Sequence, residues 1–105
     1  MVHPPDNRQM ILALLSEHEE SLKKLGVRKL GLFGSFIRNE QTPKSDIDIL
    51  VDFMPEQETF RNLMGLHGFL TSLFDRNVEL VTVNSLSPYI GPHILGEVEY
   101  VPFIH

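Results

Sequence analysis

No cysteine and no tryptophan occur among the 105 residues. Without cysteine there is neither a disulfide framework nor a thiolate metal site, which fits a reducing cytoplasm. Also missing is any apolar run long enough to cross a bilayer. The opening Met1-Val2-His3-Pro4-Pro5 lacks the basic and apolar regions of a signal peptide. A soluble cytoplasmic protein with no membrane contact is therefore expected. Positive charge is scarce: 9 Lys and Arg stand against 14 Asp and Glu, for a formal net charge of −5. Such a balance repels phosphate backbones, so free nucleic acid is not the expected partner, whereas a metal site or a basic protein surface is compatible with it. Paired histidine spacing is absent too. The five histidines, at 3, 18, 67, 93 and 105, never recur at a ligand interval, and His18 and His67 fall near apolar stripes as packing residues.

What is present is ordinary for a globular domain: 42% hydrophobic and 22% charged residues. The length allows one domain, residues 1–105, and no separate substrate domain. After Pro4 and Pro5, Asp6 and Gln9 have the spacing of a capping box. Ile11, Leu15, His18, Leu22 and Leu25 then recur at helical intervals, which predicts one helix from Asp6 to Leu25, stopped by Gly26. Val27 to Phe33 reads as a buried strand, Ser35 to Asn39 as one helical turn and Glu40 to Lys44 as a polar loop. Asp46 to Phe53 is the clearest strand, setting Ile47, Ile49 and Val51 against Asp46, Asp48, Leu50 and Asp52. A second long helix, Glu58 to Phe74, is expected to turn Phe60, Leu63, Met64, His67, Leu70, Leu73 and Phe74 inward. Val78 to Val83 is a third strand. Ser85 to Leu95 is punctuated by Pro88 and Gly91-Pro92 around a short helix, and Val98 to Val101 is a fourth, edge strand. The fold class that follows is α/β (α+β), a small β-sheet covered by helices.

The stretch from Gly31 to Asp52 carries the chemistry. Gly34-Ser35 lies between a strand and a helical turn, where backbone amides and the Ser35 hydroxyl can approach an anion. Arg38, one turn on, adds a cation suited to phosphate. A plain strand-to-helix turn would look the same, and the Gly-Lys-Ser/Thr ending of a Walker loop is missing. Asp46-Ile47-Asp48 supplies the second part. Residues i and i+2 of a strand share a face, about 6–7 Å apart. Two carboxylates so placed can hold hard cations, and paired Mg²⁺ about 3.5–4 Å apart can clamp the attacking and leaving oxygens of phosphoryl transfer. The bland alternative is a solvated polar face, but adjacent like charges on one strand face cost stability unless a cation relieves them. An EF-hand loop is excluded, because Val51 stands where its turn glycine belongs. Glu79, between Val78 and Leu80, is the candidate third carboxylate, with a surface ion pair to Arg76 as the alternative.

At these residues the chain resembles the nucleotidyltransferase superfamily, whose fold is shared with the palm of DNA polymerase beta. The combination is Gly34-Ser35-Phe36-Ile37-Arg38, then Ser45-Asp46-Ile47-Asp48-Ile49-Leu50-Val51. With Val78-Glu79-Leu80-Val81 and Pro88-Tyr89-Ile90, it is most similar to the short minimal nucleotidyltransferases, over nearly the whole chain. The resemblance implies a small mixed sheet of the polymerase-beta-palm type. It implies that Gly34, Ser35 and Arg38 hold the triphosphate, that Asp46, Asp48 and Glu79 hold Mg²⁺ as two ions, and that Glu79 helps deprotonate an acceptor hydroxyl. The implied reaction moves a nucleoside monophosphate, AMP from ATP, to that hydroxyl. Family members pair with a small helical nuclease toxin of the HEPN type, and some act as its antitoxin by adding AMP to a tyrosine. This chain departs from the pattern in two places: Glu79 replaces the usual Asp, and Ile37 and Asn39 flank Arg38 where small residues are common.

Three functions follow as expectations. The first is an Mg²⁺-dependent adenylyltransferase acting as antitoxin on a HEPN-family protein, with ATP as substrate. The second is a binding module that neutralises a toxin by contact alone. The third, modification of a small molecule, lacks the helical domain that larger family members use. Oligomeric state, a homo-oligomer included, stays open.

Overall fold

A computed structural model describes residues 5–103; His3 and His105 lie outside the described residues. The first helical region begins where Asn7, not Asp6, accepts a hydrogen bond from the Met10 amide at 2.9 Å. The predicted single helix is two, α1 (Arg8–Glu17) and α2 (Glu19–Lys24). His18 makes the break. Its ring Nδ1 sits 2.8 Å from the Leu14 carbonyl oxygen, the acceptor its own backbone amide would use in a continuous α-helix. That amide bonds Leu15 O instead, at 3.2 Å. The side chain has taken the helix bond, and the chain tightens by one residue. The ring also packs edge-on against Phe69, centroids 5.7 Å apart, so His18 is a packing residue as its position suggested.

Four strands follow the order β3-β2-β1-β4. β1 (Val27–Phe33) runs antiparallel to both β2 (Ile47–Phe53) and β4 (Glu99–Tyr100), while β2 and β3 (Val78–Thr82) are parallel. The mixed sheet is the expected one. Between β1 and β2 lies α3 (Ser35–Arg38); between β2 and β3 lies α4 (Phe60–Phe74), the crossover that a parallel pair requires. A single 3₁₀ turn (Val83–Ser85) and α5 (Gly91–Glu97) lead into β4.

The alternation in β2 splits the core. Ile47, Ile49, Val51 and Phe53 face α1, α2 and α4 and join Ile11, Leu15, Leu22, Leu66, Leu70 and Phe74 in the main cluster. Leu50 points the other way and forms a smaller cluster with Phe33 and Ile94, fringed by Val81, Leu86 and Val98. Both faces of the sheet are therefore covered.

The predicted inner stripe of α4 holds at Leu70 and Phe74, with Leu63 and Leu73 packed against the core, and fails at Phe60 and Met64. Leu66, Leu70 and Phe74 are buried, but Phe60 is 78% and Met64 47% exposed. The helix is apolar on more than one side, so periodicity alone does not say which stripe faces the sheet. His67 lies at the edge of the packed face, its Nε2 3.0 Å from the Val78 carbonyl oxygen. No helix among the described residues is long and apolar enough to cross a membrane.

Candidate active site

Register brings three of the predicted residues, Gly34, Asp48 and Glu79, into one row. The β1–β2 ladder sets Phe33 opposite Asp48, and the β2–β3 ladder sets Asp48 opposite Glu79. Gly34, the first residue past β1, thus lies beside Asp48, and Glu79 flanks it on the other side. Three consecutive strand ends deliver a turn and two carboxylates to one edge of the sheet. Asp46 is exposed and lies one residue before β2 rather than inside it, and its charge still acts on Asp48.

Gly34 is required by contact. Its φ is +78°, a conformation L side chains rarely adopt. A Cβ built there would overlap the Asp48 carboxylate. The turn continues as α3, with the Ile37 and Arg38 amides both bonded to Gly34 O at 3.1 Å. Phe36, 1% exposed, anchors that turn in the main core, settling it as a core residue rather than a pocket wall. The Arg76 guanidinium lies 5.4 Å from the Phe36 ring centroid and donates to the carbonyls of Pro43 and Ser45 at 3.1 Å. Arg76 therefore holds the loop before Asp46 and does not pair with Glu79.

The Asp48 carboxyl is pushed up to about 6. Partial burial is the largest cause, followed by the charge of Glu79, a hydrogen bond with Glu79 and the charge of Asp46, with Arg38 pulling weakly the other way. A partly desolvated Asp48 beside the exposed carboxylates of Glu79 and Asp46 forms a site short of positive charge. That is the donor set for a hard divalent cation, which binds oxygen and relieves the repulsion. Among the described residues no three Asp, Glu, His or Cys side chains are close enough to enclose an ion. Mg²⁺ fits such an open site, because it keeps water and commonly takes one or two carboxylates plus substrate phosphate oxygens.

Glu97, at the end of α5, is the residue that the sequence did not reveal. Its Oε2 accepts the Gly34 amide at 2.7 Å, and the carboxylate takes Arg38 Nη1 at 3.0 and 3.1 Å. Arg38 Nε donates to Glu40 at 2.8 Å. Hydrogen bonds donated to Glu40 and then to Glu97 hold the Arg38 guanidinium above its ordinary value. The predicted phosphate ligands Gly34 and Arg38 thus do converge, but on a protein carboxylate. Glu97 lies 63 residues beyond Gly34 with no motif to mark it. The one available signal was its place four residues after His93 on a short helix.

A cavity of about 440 Å³ opens from this row beneath α5. Gly34, Arg38, Asp48, Glu79 and Glu97 line one part of it, and Phe33, Val81, Leu86, Ile90 and Ile94, with Ser85 and His93, the rest.

The chain is similar to known proteins in sequence and in fold. A family model described as nucleotidyltransferase domain matches residues 15–101. The protein adenylyltransferase MntA of Thermococcus cleftensis is 39% identical over 92 residues, covering 87% of this chain and 92% of that protein. A solved structure described as a candidate minimal nucleotidyltransferase superposes with a TM-score of 0.77 at 24% identity, over 90% of this chain and 95% of that one. An MNT antitoxin in complex with a tri-AMPylated HEPN toxin of Shewanella oneidensis superposes at 0.62, with 21% identity, over 88% of this chain and 72% of that one. These last two likenesses concern the fold.

Proposed function

This chain belongs to the nucleotidyltransferase domain family, and we propose that it transfers AMP from ATP, with Mg²⁺, to a hydroxyl of a protein partner of the HEPN type, as the partner's antitoxin. The observation that carries the reading is the row Gly34–Asp48–Glu79 across three strand ends, with Arg38 on the facing side. The adenylyltransferase name of the Thermococcus relative and the AMPylated toxin bound to the Shewanella neighbour support the acceptor class.

In this reading Ser35 and Arg38, with the Gly34 turn, hold the β- and γ-phosphates. Asp48 and Glu79 would hold the metal, with the exposed Asp46 adding its charge beside them and substrate phosphate oxygens and water completing the shell. When bound, Mg²⁺ neutralises phosphate charge and polarises the phosphorus–oxygen bonds, and two ions are expected. The acceptor oxygen attacks the α-phosphorus; the bond from that phosphorus to the β-phosphate oxygen breaks, and pyrophosphate leaves with its electron pair. The hydroxyl proton passes to Glu79, which lies at the exposed side of the row where an acceptor can enter. Nothing is oxidised or reduced. Metal must accompany the nucleotide, because Asp46, Asp48, Glu79 and Glu97 otherwise repel it.

The test is incubation with Mg²⁺, ATP labelled at the α-phosphate and the cognate HEPN-type partner. Transfer of label that vanishes in Asp46→Asn/Asp48→Asn is expected. Neutralisation of the partner by that double variant, with no label moved by the wild type, would replace the enzyme with the contact-only module.

A further inference from the structure

β3 is an outer strand of the sheet, and its free edge is unevenly occupied. In a parallel pair, alternate residues turn their backbone groups to the neighbouring strand, and the residues between turn theirs away. Asn77 O accepts the Ile47 amide at 2.9 Å, so Asn77, Glu79 and Val81 bond β2, while Val78, Leu80 and Thr82 face outward. Val78 and Thr82 already use their carbonyls. The His67 ring Nε2 lies 3.0 Å from Val78 O, and Ser85 Oγ donates to Thr82 O at 2.9 Å. Leu80, between them, has an amide and a carbonyl with no partner among the described residues. Such an open edge position is a template for a further strand.

A groove of about 320 Å³ runs along this edge, lined by Leu63, Met64 and His67 of α4 and by Val78, Glu79 and Leu80 of β3. Phe60, one helical turn before Met64, extends its apolar side and is exposed. Asn84 Nδ2 donates to Glu58 Oε1 at 3.0 Å and ties the 3₁₀ turn to the segment before α4. The groove is thus held at both ends and unpaired in the middle. Glu79 stands at a junction, because it lines both this groove and the cavity beneath α5.

We propose that this edge of β3 docks an extended segment of the protein acceptor and presents its hydroxyl to Glu79. The proposal rests on the transfer reading above and adds how the acceptor is held. One acceptor residue, running antiparallel, exchanges both backbone bonds with Leu80, and its side chain lies on the face of Leu80, against Leu63 and Met64. The residue after it falls opposite Glu79 and shares that face, with the two Cβ atoms about 5 Å apart. The acceptor sequence is therefore an apolar residue followed directly by the hydroxyl-bearing one. Charge selects the occupant. With Glu79 and Glu58 along the groove and a net charge of −5, a second copy of this chain is repelled and a basic segment is drawn in.

The test uses a fluorescent peptide of basic residues around a central Leu-Tyr pair. Anisotropy on the full chain reads binding, and Mg²⁺ with ATP labelled at the α-phosphate reads transfer. The wild type is expected to bind the peptide and label its tyrosine. Methylating the leucine amide nitrogen removes the hydrogen meant for Leu80 O and is expected to weaken binding about fivefold or more, the scale of one hydrogen bond. Methylating the tyrosine nitrogen, which points away, is expected to leave binding within about twofold. Met64→Lys, at an exposed position, is expected to weaken the peptide about tenfold and leave Mg²⁺-ATP affinity unchanged. No binding by the wild type, equal effects of the two methyl groups, or full binding by Met64→Lys overturns the docking edge. So does a bound peptide left unlabelled while the HEPN-type partner is labelled. Wild-type self-association that the peptide does not displace assigns the edge to a second copy and overturns it as well. Binding as expected, with label moved neither to the peptide nor to the partner, overturns the transfer reading and leaves the docking edge in place.

Discussion

Gly34 and the Asp48 carboxylate are in such close approach that a single methyl group on Gly34 would overlap Asp48 Oδ2. The contact joins the turn after β1 to the second carboxylate of Asp46-Ile47-Asp48, and it depends on a φ of +78°. Gly34→Ala meets both penalties. It is expected to lower stability by about 1–3 kcal/mol, the scale of local backbone strain, and to displace Asp48 from its register with Glu79. Thermal unfolding reads the first effect. Titration with Mg²⁺-ATP reads the second, as a loss of at least tenfold in affinity. An Ala variant that binds as well as the wild type would separate the glycine from the site.

The raised Asp48 carboxyl makes stability depend on pH in a stated direction. Asp48 titrates near 6 in the folded chain, against an ordinary 3.8. Below about 3.8 both states hold the proton and the folded state carries no charge penalty. As pH rises the unfolded chain releases its proton first, so stability is lost between those two values, and above about 6 the loss is complete. Asp48→Asn removes the titration. In metal-free buffer the variant is therefore expected to gain melting temperature over the wild type at pH 8, with the gain shrinking toward pH 4. Mg²⁺ should narrow the gap at pH 8 by stabilising only the wild type. Scanning calorimetry across that range, with and without Mg²⁺, checks all three.

Glu97 sets two anions against each other. Its carboxylate holds the Gly34 amide at 2.7 Å and Arg38 at 3.0 Å, groups that a triphosphate oxygen would also use. One amide hydrogen cannot serve both, and a fixed negative charge beside the site repels a polyanion in any case. Both effects point the same way for Glu97→Gln: tighter binding of Mg²⁺-tripolyphosphate, at least threefold. The charge-assisted bonds to Arg38 and the Gly34 amide are weakened at the same time, which lowers stability. Weaker phosphate binding in this variant would instead make Glu97 the group that orients Arg38 toward the ligand.

Strands were more legible than helices in this chain. β2 announces itself because alternation in a half-buried strand has one solution: Ile47, Ile49 and Val51 go to the main core and Asp48 to the opposite face. α4 offers two stripes, and Phe60 and Met64 belong to the exposed one while Leu66 belongs to the core. The break at His18 depends on a ring nitrogen competing for one carbonyl, which spacing cannot express. In the candidate site, Gly34, Arg38 and Asp48, which line one cavity, were readable because they are close in sequence. Glu79 needed the strand register to meet Asp48, and Glu97 needed the whole fold.

Glu79 is the least conventional group in the row, and its roles can be separated. As a neighbour it raises Asp48 by charge and by a hydrogen bond. Glu79→Gln removes the charge, so Asp48 should titrate at lower pH, a shift visible by NMR of its carboxyl carbon without any ligand. As the proton acceptor it contributes only during transfer. Glu79→Gln is therefore expected to lower single-turnover AMP transfer by at least about a hundredfold, the scale of general-base catalysis, while Mg²⁺-ATP affinity changes only severalfold. Glu79→Asp keeps the charge but draws the carboxylate back by one methylene. It should leave Asp48 raised and retain more transfer than Gln. If Gln and Asp lose transfer equally while Asp48 titrates normally in both, Glu79 acts by its length and geometry and not as a base.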